Sequence, residues 1–304
     1  MVVVERAATL KAGVLGCFAV ALLSPALAST DYCSEVTGSG FVDINVARWG
    51  SQPLRSAAGD SLATQARELD SRWRLDPDPQ HPLNLGFSWR YSIMDLPGVD
   101  TMTNGHLHRM QLPLEGRLKA QGATLIYHAA PVLAVSSNIL KAPDLIDADS
   151  LQLDAGAVYQ RPYSETTAWL LGLRADHRFA SYRAYPVLGL CIEPTPDWTL
   201  QLALPDLRIE RRIGQRLALS LFAGPAGASW HVASKDEARQ SQFEYQATAI
   251  GLSAHWRFDR DFSLVLDLEQ QRDRELAFRL NDNSLVETRV ADSTGLRLRG
   301  IYRF

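Results

Sequence analysis

The feature that most constrains this chain is a strict alternation of apolar and polar residues over long segments. From Leu83 to Ile93, apolar side chains occupy every odd position and small or polar ones every even position. A period of two places successive side chains on opposite faces of a β-strand. The pattern recurs along the chain in segments of about ten residues, which exceeds the roughly 5–6 of a soluble strand and matches the roughly 9–11 that a tilted strand needs to cross a bilayer.

Strands that cross a bilayer must pair all of their backbone groups, so they have to close into a barrel. We therefore predict an all-β fold, a closed, antiparallel, up-and-down transmembrane β-barrel of about fourteen strands, with twelve as the alternative. The strands that decide between the two numbers are 41–48, 198–204 and 207–212. The predicted strands are 41–48, 62–74, 83–93, 107–118, 123–135, 151–160, 167–178, 185–192, 198–204, 207–212, 217–232, 243–257, 262–279 and 288–304.

Alternate connections differ in length, and this predicts the orientation of the barrel. One set is short and rich in turn formers, as in Asp76-Pro77-Asp78-Pro79 and Gln121-Gly122. The other set is mostly longer, for example 138–150 and 179–184, with Pro205-Asp206 as the exception. Outer-membrane barrels keep short turns on the periplasmic side, so both termini are expected there.

Aromatic residues near the predicted strand ends suggest two girdles at the membrane interfaces. The expected periplasmic girdle comprises Trp73, Tyr159, Trp198, Trp256, Phe258, Phe262, Tyr302 and Phe304, and the opposite one Trp89, Tyr91, Phe222, Trp230, Phe243 and Tyr245.

The first 28 residues have the layout of a secretory signal peptide. Arg6 and Lys11 precede the apolar run 12–23, and Ala26-Leu27-Ala28 is an A-x-A cleavage pattern. A lipoprotein signal ending at Cys17 is the weaker alternative. We predict a signal peptide at 1–28, an N-terminal periplasmic segment or partial lumen plug at 29–40 and an outer-membrane barrel at 41–304, placed in the outer membrane of a Gram-negative cell.

The mature chain keeps two cysteines, Cys33 and Cys191. An oxidising compartment permits a disulfide between them, but a pair so far apart in sequence is equally compatible with two free thiols.

The charge content excludes some functions and indicates where the charges lie. The chain has 304 residues, with 31 Lys+Arg against 34 Asp+Glu and a net charge of −3. This balance argues against nucleic-acid binding, which requires a basic excess. Charges on alternating strands avoid lipid and face the lumen. The lumen-lining candidates are Arg90, Glu115, Arg117, Asp154, Arg208, Glu210, Arg212, Asp267, Glu269, Arg297 and Arg299.

The last hairpin allows a prediction of register. If its loop centres on Asn283, Phe262 faces Phe304, Asp267 faces Arg299 and Glu269 faces Arg297. Opposite charges that face each other across a strand pair stabilise it by roughly 0.2–1 kcal/mol. These charges would either tune ion preference or form a ladder that stiffens the barrel.

Motifs for catalysis, cofactors and metals are absent from the sequence. We find no GxSxG elbow, HExxH helix or phosphate-binding glycine loop. His106 and His108 could offer two metal ligands from one strand face, but no carboxylate or cysteine accompanies them at ligand spacing. We therefore expect no enzyme, no cofactor and no metal site.

The signal peptide, the alternating strands and the last segment, 296–304, resemble bacterial outer-membrane β-barrels. In that class a final strand with a C-terminal aromatic is similar to the signal read by the barrel-assembly machinery, which implies that role for Tyr302 and Phe304. More narrowly, Tyr185 to Leu190 and Pro196-Asp197-Trp198 resemble a proteobacterial barrel family of unknown function, and Pro205 to Glu210 and Arg216 to Leu219 fit that resemblance.

The expected function is a porin-like channel for passive passage of small solutes. The alternatives are a closed structural or adhesive barrel whose extracellular loops bind partners and, less favoured, a barrel enzyme that modifies lipid. The expected partners are outer-membrane lipid, the barrel-assembly machinery and a small solute, with no nucleic acid.

Overall fold

One closed antiparallel barrel contains most of the structured chain. The computed structural model describes residues 32–33, 40–53, 61–74, 83–95, 105–233, 240–280 and 285–304. The first strand pairs with the last, with Asn45 opposite Arg299, and this pairing closes the sheet. The predicted fold class is confirmed, with fourteen strands rather than twelve.

The strands run in chain order around the barrel, and three of them are interrupted by two residues. In β4 the interruption contains Pro113, which has no N–H to give to the ladder. The strands are β1 (Gly40–Pro53), β2 (Ser61–Arg74), β3 (Leu83–Asp95), β4 (His106–Gln111 and Leu114–Ala120), β5 (Ala123–Ser136), β6 (Leu151–Pro162), β7 (Thr167–Phe179), β8 (Ser181–Thr195), β9 (Trp198–Leu204), β10 (Leu207–Ile213), β11 (Leu217–Pro225 and Ala228–Ala233), β12 (Gln240–Arg257), β13 (Phe262–Leu280) and β14 (Leu285–Val290 and Ser293–Arg303).

The loop between β5 and β6 carries the helical structure of the described chain. It contains α1 (Ser137–Lys141) and two single 3₁₀ turns, Pro143–Leu145 and Ala148–Ser150. Within the described residues, no helix is long and apolar enough to cross a membrane.

Among the described residues, the connections predicted to be short are short, and the prediction for the other side needs one correction. Among the described periplasmic turns, 121–122 and 196–197 have two residues each. In the turn 258–261, the amides of Asp261 and Phe262 donate to the Asp259 carboxylate and lower its pKa. The predicted long loop at 179–184 was wrong, because Ala180 alone, at φ 69°, joins β7 to β8.

The two faces of the barrel differ as the alternation predicts. On β14 the outward-facing Leu296 and Leu298 are 54% and 41% exposed, whereas the inward-facing Arg297 is 3% exposed. Similar exposed leucines on most other strands form an apolar outer belt. A closed barrel with an apolar belt and a charged interior satisfies the requirements of a membrane-spanning sheet.

Towards the end that is predicted to be extracellular, called the extracellular end from here on, this polarity is reversed. On β12, Ile250, Leu252 and Trp256 face outward near the periplasmic end, whereas Gln242 and Glu244 take the outward positions further up the same strand. The inward positions there are apolar and buried. We call them the apolar lumen cluster: Met94, Leu107, Val132, Ala134, Ala226, Ala228, Trp230, Val232, Phe243, Tyr245, Ala247, Ala249, Leu276, Phe278 and Val290. This part of the barrel is therefore packed like a soluble protein, with polar residues facing water.

The barrel also narrows towards this end. Strands β6 to β10 separate β5 from β11 in the membrane part, but further up β5 and β11 meet directly, with His231 paired in parallel to Val135. The β7–β8 hairpin lies beneath this junction, since a Cβ on Gly227 would approach the Arg178 carbonyl oxygen within 2.5 Å. The narrowing brings the inward side chains of opposite walls into contact.

Candidate functional site in the barrel interior

A group of buried charges on β13 and β14 forms the centre of the inner wall. Arg297 binds Glu269 at 2.6 Å through Nη2 and Asp267 at 3.4 Å through Nη1. Arg299 binds the same Asp267 oxygen at 3.4 Å. Asp267 and Glu269 are each 1% exposed. We call these four residues the β13–β14 ion-pair group.

The predicted register of this hairpin was wrong by two residues. Asp267 lies opposite Arg297 rather than Arg299, and Phe262 lies opposite Tyr302 rather than Phe304. The reason is that β14 begins at Leu285, so the hairpin is centred one residue earlier than predicted. A shift of two preserves the face of every side chain, and the expected ion pairs Asp267–Arg299 and Glu269–Arg297 form diagonally across the strands.

A second group of buried charges lies on the opposite wall. Arg109 donates to Gln152 and Asp154 at 2.6 Å each. Further along, Arg178 forms a bidentate pair with Asp206 and also contacts Asp176. Sequence analysis missed Arg109 and Arg178, although both occupy inward positions of alternating strands and that periodicity could have found them.

The lumen candidates all lie at inward-facing register positions, in different surroundings. The β13–β14 ion-pair group and Asp154 are in close contacts, and Arg208 binds Glu210 at 3.1 Å. Arg90 lies across from Arg109 and binds Glu68 at 3.7 Å. Glu115, Arg117 and Arg212 lie nearer the periplasmic end, where Arg212 is exposed.

Tyr32 and Cys33, which precede the first strand, lie inside the barrel and are attached to its wall. Cys33 forms a disulfide with Cys191 of β8, and the Tyr32 amide donates to the Gln201 side chain at 2.7 Å. The Tyr32 side chain is 2% exposed. It packs on inward-facing apolar residues of four neighbouring strands: Val158, Leu170, Val187 and Ala203.

A cavity lies where the ion-pair group meets the apolar lumen cluster. Its walls include Trp49, Arg90, Trp230, Tyr245 and Arg297. The space for water-sized groups is about 40 Å³, enough for roughly three waters at about 10–15 Å³ each. A hydrogen-bond chain runs along one side from Arg274 through Tyr245 and Gln271 to Glu269. The cavity thus offers charge and aromatic surface together.

The aromatic girdle prediction was wrong for Phe222, Trp230, Phe243 and Tyr245, which point into the barrel. Phe222 lies opposite the inward-facing Gly251, and the other three are 2%, 1% and 6% exposed. The sequence contains a signal for this placement: along β12 the outward positions change from glutamine and glutamate to isoleucine and leucine, which marks where the strand enters lipid. The aromatic side chains beyond that point pack inside.

The two histidines considered as metal ligands lie on the outer face of β4. His108 accepts a hydrogen bond from the Trp89 indole at 3.3 Å through Nδ1 and contacts Ser137 Oγ at 2.7 Å through Nε2. His106 contacts the Tyr91 hydroxyl. The four rings stack, so these histidines belong to an aromatic surface group rather than to a pair of ligands directed at one ion.

Comparison with known proteins gives similarity at the level of the barrel. No family model matches the chain, and no curated protein matches it. An outer membrane channel from Pseudomonas putida F1 is 11% identical, with a TM-score of 0.49 over 90% of this chain and 98% of that one. The KdgM porin is 7% identical, with a TM-score of 0.38 over 87% and 99%.

The translocator domain of the autotransporter NalP from Neisseria meningitidis is 10% identical, with a TM-score of 0.40 over 91% of this chain and 92% of that one. The fold of the present chain is established without these comparisons, by three observations: a closed sheet, an apolar belt of exposed leucines and a buried charged interior. The chain is a closed, antiparallel, fourteen-stranded β-barrel of the membrane-spanning type.

Proposed function

We propose that the protein is a channel for passive passage of small amphipathic solutes across the outer membrane. The observation that carries this proposal is the cavity in which Arg90 and Arg297 meet Trp49, Trp230 and Tyr245. Such a lining provides hydrogen bonds for a polar group and contact area for an apolar one, a combination typical of small-molecule sites.

The described interior is narrow, and this limits the kind of passage. Three charges of the ion-pair group, Asp267, Glu269 and Arg297, are almost fully buried, and the apolar lumen cluster fills the extracellular part. We expect small solutes to pass with side-chain rearrangement and the ion conductance to be low. The same cluster favours the second candidate, a closed barrel whose extracellular loops bind partners.

We also propose that the N-terminal segment 29–40 is a partial lumen plug. The burial of Tyr32 against the inner wall and the disulfide from Cys33 to Cys191 support this. Only Tyr32 and Cys33 of the predicted segment's first eleven residues are among the described residues. Because the disulfide fixes them to β8, the plug would stay inside the lumen during passage.

At the other terminus, we propose that Tyr302 and Phe304 form the assembly signal and that outer-membrane lipid and the barrel-assembly machinery are partners. Tyr302 and Phe304 are 52% and 51% exposed at the end of β14. Deletion of Phe304 should reduce the folded fraction in outer-membrane preparations, while Phe258→Ala, at an exposed turn, should not.

Planar-bilayer recording tests the channel proposal. The refolded wild-type protein should show small discrete openings, and the double variant Cys33→Ser/Cys191→Ser should show larger or more frequent ones. Silence of both proteins over a wide range of salt and voltage would refute the channel and favour the closed barrel. Lipase assays on the same preparation test the enzymatic alternative.

A further inference from the structure

We propose that the extracellular end of the barrel carries a binding site for a divalent transition-metal ion, formed by Asp147, Asp149 and His231. One ligand atom from each residue lies within 4.8 Å of those of the other two. The two aspartates belong to the loop between β5 and β6, whereas His231 belongs to β11. The site therefore joins two segments that are far apart in sequence.

His231 is held so that one ring nitrogen faces the aspartates. The residue is 4% exposed, and its Nε2 lies 3.7 Å from Asp147 Oδ2. Nδ1 is buried and has no hydrogen-bond partner among the described residues. In the metal-free protein Nε2 carries the ring proton and donates it to the Gln240 side-chain oxygen. Binding of a metal ion through Nε2 would break this hydrogen bond and move the proton to Nδ1, which has no competing partner.

Asp147 is oriented by its own loop. Its Oδ1 accepts hydrogen bonds from the amides of Asp149 and Ser150 and from the Ser150 hydroxyl. This capping arrangement leaves Oδ2 directed at His231. Ligands whose second oxygen is fixed by neighbouring groups are typical of preorganised metal sites.

A fourth ligand atom, the third oxygen of the site, is available from the next strand. The side-chain oxygen of Gln240, the first residue of β12, lies 3.1 Å from His231 Nε2. Metal–ligand bonds of about 2.0–2.2 Å place tetrahedral ligand atoms roughly 3.4 Å apart. Contraction from 4.8 Å is feasible because Asp147 and Asp149 are exposed loop residues, whereas His231 is fixed.

The donor set determines the class of ion. An imidazole nitrogen with two carboxylates suits Zn²⁺ and its first-row neighbours, whereas Ca²⁺ and Mg²⁺ prefer sites built entirely from oxygen. The bound ion would fasten the β5–β6 loop onto β11 at the junction where His231 pairs with Val135. It would thereby hold the extracellular closure in place, independently of whether the barrel conducts.

Isothermal titration of the refolded, chelator-treated full chain with Zn²⁺ tests this site. We expect one tight Zn²⁺ ion per chain and affinity at least tenfold weaker in both His231→Ala and Asp149→Asn. The matched control is Asp144→Asn, which removes a carboxylate from the same loop outside the cluster and should bind like the wild type. Asp149→Asn alters an exposed side chain, so it reports on the site even if His231→Ala does not fold.

Titration with Co²⁺ gives a second readout, since coordination by nitrogen and oxygen changes the visible absorption of the ion. The change should occur in the wild type and in Asp144→Asn and be lost in Asp149→Asn. Unchanged Zn²⁺ affinity in a folded His231→Ala or Asp149→Asn, or equally tight binding of Mg²⁺ and Zn²⁺ by the wild type, would overturn the proposal.

Discussion

Replacement of Arg297 by methionine is the most direct test of whether the inner wall is dry. Arg297 is 3% exposed and lies 2.6 Å from Glu269 and 3.4 Å from Asp267, each of them 1% exposed. Methionine retains much of the side-chain volume but removes the cation. Two carboxylates then remain in the wall, and of these Asp267 keeps a contact with Arg299 at 3.4 Å.

The burial of these charges determines how much Arg297→Met should lower the free energy of unfolding. Removal of one partner from a buried ion pair destabilises a protein by about 3–5 kcal/mol, because the other charge is left without compensation. A hydrated, exposed pair contributes only about 0–1 kcal/mol. With exposures of 1–3% the first value applies, and we expect the unfolding equilibrium constant to rise by roughly two to four orders of magnitude.

Equilibrium urea unfolding in lipid vesicles, followed by tryptophan fluorescence, measures this change. The control is Arg272→Met, which removes an exposed arginine of β13 bound to Gln270 and should change stability by less than about 0.5 kcal/mol. The double variant Arg297→Met/Glu269→Gln should recover part of the loss. A cost below about 1 kcal/mol for Arg297→Met would show that water screens this wall and refute the reasoning.

Three further predictions address packing and the turns. Trp230→Ala, in the apolar lumen cluster, should lower the free energy of unfolding, measured in urea, by about 3–5 kcal/mol. Trp256→Ala, at a residue that is 53% exposed on the lipid face, should lower it much less. Gly227→Val should lower the temperature at which the barrel loses its heat-resistant electrophoretic mobility, because its Cβ would approach the Arg178 carbonyl oxygen within 2.5 Å. The Asp259 carboxyl should titrate in NMR below its ordinary pKa, since two amides donate to it. Its stabilising effect should be present above the ordinary pKa and disappear as the pH falls through the lowered one, and a normal titration would contradict this.

Much of the barrel was predictable because strand alternation is a local property. All predicted strands are present, and the division into short and long connections failed at 179–184, where Ala180 forms the whole turn. The final hairpin shows the limit of such reasoning. Its faces were predictable from period two, but its register depended on where Leu285 begins to pair, which alternation leaves undetermined.

The interior was less predictable, since its contacts join distant strands. The charged positions could be assigned to the inner face one strand at a time. Their partners could not, as with Arg178 and Asp206, which are brought together by two hairpins. The aromatic residues of the lumen cluster were misassigned because the outward positions of β12 change from polar to apolar along the strand, and Trp230 of β11 lies opposite Phe243 in the polar part. A girdle requires a lipid-facing side along the whole strand.

The sequence by itself determined the class of fold and the inward and outward faces, because each depends on neighbours within a strand or a turn. Only the tertiary structure decided that Cys33 pairs with Cys191, that β5 meets β11 at Val135 and His231, and that the interior is narrow. The residues in these contacts are far apart in sequence and meet only because the sheet closes into a barrel. Alternation specifies which way a side chain points, whereas the curvature and closure of the sheet specify what it meets there.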